Sequence, residues 1–217
     1  MLVGGVDWST VATLATAAGT LVLAIATFAA VRSANRAARI SEAAFRVNLR
    51  PVLVTSRLGD PKQKMRWMDN HWATVEGSQA IVEDVDDNLY MAVSLRNVGA
   101  GIAVPMGWNV IDGAQNTSVP HIDPEDFRMQ TRDLLVAPGD IGFWQAAVRE
   151  SSDRDYEWLR RAVLEPHTFT LDLLYGDAEG GQRTITRFGM IPLRVDETTR
   201  WFPSTARHWN LDRPDPR

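Results

Sequence analysis

The chain has no cysteine, which excludes a disulfide framework and thiolate chemistry and is compatible with a reducing compartment. Lysine is almost missing as well: Lys62 and Lys64 stand alone among 23 basic residues. That bias fits a GC-rich genome better than any physical requirement. No Walker loop, dinucleotide fingerprint, GxSxG or HExxH occurs, so no catalytic motif names a reaction. The four histidines, His71, His121, His167 and His208, show no paired metal-ligand spacing.

Charge is missing altogether from one long stretch. Between Asp7 and Arg32 nothing ionises, and Trp8 to Val31 reads WSTVATLATAAGTLVLAIATFAAV. As a helix this run reaches about 36 Å at 1.5 Å per residue. A bilayer core of about 30 Å needs about 20 apolar residues. One transmembrane helix over 8–31 is the expectation. A cleaved signal peptide fits less well: no basic region precedes the run, the run is too long, and Arg32 sits just before the nearest small-residue site.

Arginines follow the span and none precede it, so the positive-inside rule places a short external tail at 1–7 and the rest of the chain in the cytoplasm. The expected location is the inner (plasma) membrane, crossed once. Ala12, Thr16 and Thr20 recur every four residues, a spacing that permits self-association of the helix into a homo-oligomer. Arg32, Arg36, Arg39, Arg46 and Arg50 form a basic stripe on a juxtamembrane helix over 32–50, suited to anionic lipid headgroups or to a plain stop-transfer role. Pro51 ends that helix.

What remains is a soluble part with 45% apolar residues over the whole chain, enough for a packed core. Beyond residue 50 it carries 18 basic and 25 acidic residues. An acidic domain argues against nucleic acid as a partner. Short β-branched runs recur at 51–56, 89–95, 102–111, 134–136, 140–148, 168–175, 182–188 and 191–195, punctuated by glycine and proline, with one helix over 151–164. Seven or eight such strands predict a mainly β fold, an immunoglobulin-like β-sandwich over 51–195. The glycines of Asn97 to Gly101 are expected to supply positive φ.

Residues 58–86 are polar and less regular. Met65–Met68 and Trp72–Val75 fit a hairpin, and Lys62, Lys64, Arg66, Trp67, Met68 and Trp72 suit either tryptophans packed on a sheet or an interfacial membrane contact. His121, Asp123 and Asp126 in one loop and Asp177 in another offer donors for a divalent ion, although a solvated acidic loop uses the same residues. No cofactor is implied. The last segment, 196–217, is too aromatic for a disordered end. Either it wraps the sandwich, or Trp201, Arg207, His208, Trp209 and Arg213 grip a partner, another membrane or cytoplasmic protein.

The run Leu95–Ala103 after an N-terminal anchor, Gln130–Leu134, Gly139–Gln145, the hairpin from Leu173 to Thr186 and the end from Arg207 to Arg217 carry a resemblance. They are similar to a group of uncharacterised actinobacterial single-pass membrane proteins with a cytoplasmic β-sandwich. That resemblance implies the anchor and the fold, and it brings no activity, cofactor or catalytic residue. The function expected is therefore a membrane-anchored, non-enzymatic interaction or accessory module. The alternative is a metal-dependent or small-ligand enzyme domain using His121, Asp123, Asp126 or Asp177.

Overall fold

The computed structural model describes residues 7–213, and within the first helix the side chains of Ala43 and residues 45–48 lie outside the description. The chain forms two compact units, Met1–Val47 and Asn48–Arg217. The first is helix α1 (Trp8–Asn48). Asp7 opens it, its carboxylate accepting from Ser9 N at 3.1 Å and from the Thr10 hydroxyl at 3.0 Å. From Trp8 to Glu42 it is long and apolar enough to cross a membrane. Its threonines suit that role: the hydroxyls of Thr16, Thr20 and Thr27 bond back to carbonyls four residues earlier at 2.9, 2.8 and 2.7 Å. In hydrocarbon those groups would otherwise lack partners. The basic segment continues the same helix, because residues 32–50 contain no glycine or proline. Of the external tail expected at 1–7, only Asp7 lies within the described residues.

The second unit is built from β1 (Leu53–Thr55), β2 (Gln63–Arg66), β3 (Trp72–Val75), β4 (Ala80–Val85), β5 (Asn88–Asn97), β6 (Val104–Asp112), β7 (Arg128–Met129), β8 (Ile141–Val148), α2 (Tyr156–Leu164), β9 (Phe169–Gly176), β10 (Thr184–Val195) and β11 (Thr198–Asn210). It is mainly β, with one large antiparallel sheet. Strand β5 pairs with β1, β4 and β8. Strands β7, β6, β9, β10 and β11 follow one another in a second run. A single bridge, Ala80 to Trp201, joins the two runs.

The sheet folds over on itself at that bridge. Alternate residues of β5 (Leu89, Met91, Val93, Leu95) and of β9 (Phe169, Leu171, Leu173, Tyr175) enter one shared core with Trp108, Trp144 and Phe188. The Trp108 and Trp144 rings, from opposite runs, meet edge to face at 5.7 Å. Each large apolar side chain buried there contributes about 1.5–3 kcal/mol. Helix α2 lays Tyr156, Leu159 and Ala162 on the same core. The helix starts later than the expected residue 151, because Asp153 and Asp155 are engaged with Arg128.

Several expectations change here. Residues 80–85 form a strand, which the polar composition of 58–86 concealed. The 134–136 run makes an isolated bridge, Ala103 to Val136, rather than a strand. Gly99 and Gly101 lack positive φ; they are glycines because a Cβ would sit 2.3 Å from Arg50 O and 1.6 Å from Leu49 O. Within the tail expected at 196–217, Thr198–Asn210 forms the longest strand of the sheet, so the domain runs at least to Asn210, and 214–217 lie outside the described residues. Asp196 and Glu197, at φ 47° and 65°, make the tight turn that sends β10 back as β11.

One buried charge pair crosses the second run. Arg187 and Asp172, directly opposite on β10 and β9, are 1% and 0% exposed. Nε and Nη2 of Arg187 donate to the two carboxylate oxygens at 2.7 Å each. Its Nη1 donates to Val119 O at 2.9 Å and Asn116 O at 3.3 Å. Removing one partner of a buried pair costs about 3–5 kcal/mol, far more than replacing both by apolar groups. Asp172→Asn is therefore expected to destabilise by about 3 kcal/mol in urea titration of the detergent-solubilised chain. The double variant Arg187→Met, Asp172→Leu should lose less than the two single changes summed; strict additivity contradicts this reading.

Candidate functional site

The residues singled out from the sequence do not assemble into one site. His121 packs its ring edge-on against Trp209 at 5.4 Å. Asp123 caps the short 3-10 turn Pro124–Asp126 by accepting from Glu125 N at 3.0 Å. Asp177 closes its own loop, accepting from Gly181 N at 2.8 Å. Among the described residues no three metal-ligating side chains come together, so the metal site expected from His121, Asp123, Asp126 and Asp177 is not formed. The carboxylates of Asp123 and Asp177 are occupied by their turns.

The C-terminal set divides. Trp201 and Trp209 are 4% and 7% exposed and belong to the interior. Trp201 stands 5.4 Å from Phe169 in the main core, while Trp209 packs with Leu174 and Ile185 and carries the guanidiniums of Arg187 and Arg207 at 4.8 and 5.0 Å. Arg207 also donates to Thr117 O at 2.7 Å, and His208 Nδ1 lies 2.7 Å from the Thr186 hydroxyl. Only Arg213 is fully at the surface. As a grip on a partner this set fails, because its two aromatic anchors are spent inside the domain.

The basic stripe divides too. Arg32, Arg36 and Arg39 are exposed on α1, and the side chain of Arg46 lies outside the described residues. Arg50 belongs to the β domain: it bonds Gln182 Oε1 at 3.2 Å and Asn210 Oδ1, and burial lowers its pKa. It is therefore not a headgroup contact.

A site missed in the sequence lies where the two runs of strands end. Strands β7 and β8 are the edges facing each other, and the β2–β3 hairpin packs beside them. Trp67 anchors the hairpin: it is 4% exposed, and its indole N–H donates to Ala146 O at 3.0 Å. Between these elements is a cleft of about 140 Å³ lined by Trp67, Met68, Trp108, Met129, Arg132 and Gln145, among others. Met68 and Met129, 89% and 81% exposed, stand at its rim. Solvated methionines in that number on one cleft mark an adaptable contact surface. Nearby, Trp72 is 53% exposed and carries Lys64 and Arg66 at 4.7 and 5.4 Å from its ring. The hairpin thus does what one sequence reading expected, packing Trp67 on the sheet, while Trp72 remains outside.

Polar chemistry in the cleft is uneven. Gln130 is satisfied, accepting from Trp144 Nε1 at 3.0 Å and donating to Gln145 O at 3.1 Å. Gln145 is 5% exposed and donates through Nε2 to Arg66 O at 3.3 Å, which leaves its buried Oε1 without a donor. Arg132 donates to Arg66 O at 2.8 Å. Among the described residues no carboxylate pairs with Lys64, Arg66 or Arg132. The sequence signal for this site was the basic and aromatic mixture at 62–72. Its other wall, Met129 to Arg132, came with no local pattern.

No family model, curated protein or solved structure matches the chain.

Behind the rim, a polar cluster holds the hairpin tip. Asp69 Oδ2 accepts from the Tyr90 hydroxyl at 2.6 Å and from Arg149 Nη2 at 2.9 Å, and His71 stacks on Tyr90 at 4.1 Å. Burial of Asp69 works to raise its pKa, but the hydrogen bonds from Tyr90, Arg149 and His71 N outweigh it and lower the value to about 2. Burial, and then Asp69 beside it, pushes Tyr90 up to about 12. A depressed carboxylate stabilises the fold above its unfolded pKa, and that contribution is lost as pH falls through the folded value. Stability should therefore decline between about pH 4 and pH 2, and Asp69→Asn should flatten that part of the curve. Acid titrations of the two proteins followed by tryptophan fluorescence check this; parallel curves would contradict it.

Proposed function

We propose that the chain is a single-pass plasma-membrane protein in which α1 anchors a cytoplasmic interaction or accessory module that performs no catalysis of its own. Arg32, Arg36 and Arg39 follow the apolar stretch, where the positive-inside rule assigns them to the cytoplasmic face. There each exposed arginine gains about 1 kcal/mol from an anionic leaflet. We further propose an immunoglobulin-like sandwich for the domain. The pairings β1–β5–β8 and β7–β6–β9–β10 correspond to strand orders A-B-E and C′-C-F-G of that fold, with α2 in the E–F crossing. The β2–β3 hairpin, β4 and β11 are additions to it.

The observation that carries the interaction reading is the cleft at the β7–β8 seam with its two solvated methionines. Exposed apolar side chains grouped on one concave surface are what a protein contact uses. The experiment is co-purification after cross-linking of the full chain, and of a chain lacking residues 8–31, from cells of the source. A partner held by the full chain, with the truncated chain released from the membrane fraction, is the expected result. A reporter fused after Arg217 should be active only in the cytoplasm. External activity, or a truncated chain that stays in the membrane after carbonate washing, contradicts the proposal.

A further inference from the structure

We propose that the outer face of the β2–β3 hairpin, formed by Lys64, Arg66 and Trp72, docks on an anionic lipid surface. This rests on the reading of α1 as a membrane anchor and adds a second contact between the chain and the bilayer. The face is separate from the β7–β8 cleft, whose lining includes none of the three residues.

Strand alternation makes the face. Met65 and Val75 turn inward and are buried with Tyr90 and Ala92, while Lys64, Arg66, Trp72 and Thr74 are exposed. Lys64 lies opposite Thr74 and Arg66 opposite Trp72, so the four share one side of the hairpin. Trp72 is 53% exposed, with the Lys64 ammonium and the Arg66 guanidinium 4.7 and 5.4 Å from its ring centre. Cation–π attraction gathers both charges around the indole before any ligand arrives.

Those charges are available. Among the described residues no carboxylate pairs with Lys64 or Arg66. The two carboxylates within 62–76 are engaged elsewhere, Glu76 by Lys62 and Asp69 by Tyr90 and Arg149. The face is therefore positive, on a domain that carries 18 basic and 25 acidic residues beyond residue 50.

Lipid fits this face better than a protein or a nucleic acid. A half-solvated tryptophan flanked by long-stemmed cations suits a membrane interface, where the ring sits at headgroup level and the charges reach phosphates. A helix long and apolar enough to cross a membrane precedes the domain in the same chain. Tethering turns docking into an intramolecular step at high effective concentration, so a weak contact suffices. Each cation near an anionic surface is worth about fivefold, and the pair about 25-fold. That is little for a protein arriving from solution and enough for one already held there. The acidic remainder of the domain is repelled by the same leaflet, as it is by nucleic acid, so the positive face decides which side turns toward the lipid.

Because the chain has no cysteine, Thr74→Cys provides one labelling position on the face. The full chain carrying an environment-sensitive dye there is reconstituted into nanodiscs of phosphatidylcholine, with or without phosphatidylglycerol. The dye should shift to the blue only in the phosphatidylglycerol discs, and the shift should fade as salt rises. Lys64→Gln with Arg66→Gln should lower the ratio of docked to undocked hairpin about 25-fold. Trp72→Ala should weaken docking while salt still abolishes what remains. All these positions are exposed, and unchanged circular dichroism melts confirm that the variants fold. Equal shifts in the two kinds of disc, or indifference to the paired glutamine change, overturns the proposal. A chain held in the discs with an unshifted dye overturns it alone and leaves the anchor standing. Recovery of the chain outside the discs overturns the anchor and this proposal together. A dye shifted only by an acidic protein captured from source cells assigns the face to that protein and overturns lipid docking.

Discussion

A guanidinium and a carboxylate enclosed between two strands set the terms for the rest of the domain. Arg187 and Asp172 have no access to water. Taking two charges out of water is costly, so the pair is tolerable only when every donor and both oxygens are met. Asp172 meets two of the donors from the facing strand, and the carbonyls of Asn116 and Val119 meet the third, fixing the 113–119 loop over the outer face of the sheet. The flat side of the guanidinium then lies 4.8 Å from the Trp209 ring. In this way the last strand, the loop and the β9–β10 register are held by one ionic contact.

Its consequence for function is negative and useful. With Trp201 and Trp209 committed to the interior, the C-terminal strand cannot present them to a partner. In the proposed function the seam between β7 and β8 takes that place: folding the sheet over leaves two edges facing each other that no strand among the described residues pairs. Edges of this kind invite unwanted strand pairing. Here Trp67 and Gln63 cap β8 with side-chain hydrogen bonds. The capping leaves a concave surface rather than a sticky edge, with cations around it and methionines on its rim.

The long apolar helix was legible in the sequence because one uncharged run longer than a bilayer is thick contains no residue that would end it. The strands that bury both faces were legible as well: Leu89 to Leu95 and Phe169 to Tyr175 are rich in large apolar residues, broken only by Ser94, Thr170 and Asp172, as the middle of a covered sheet requires. Strand β4 was not, since the short apolar run Ala80–Val82 is followed by Glu83 and Asp84 and turns on Asp86–Asp87 where asparagine and glycine are the usual signal. The metal reading failed because acidic residues that cap turns look like ligands when only their spacing is seen. The cleft was half visible. Its hairpin wall announced itself by composition at 62–72, but Gln145 and Arg132 reach it only through tertiary pairing, and a lone glutamine in a strand carries no local mark of being unsatisfied.

The claim that matters most is that the domain works through the β7–β8 seam while α1 keeps it at a membrane. Photo-crosslinking in intact source cells tests it, with a benzophenone amino acid placed singly at Met129, Leu164 or Arg213 of the full chain. All three positions are exposed, and only Met129 borders the seam. A protein adduct from Met129 that is absent from Leu164 and Arg213 is the predicted result. Adducts from Leu164 or Arg213 with none from Met129 would contradict it.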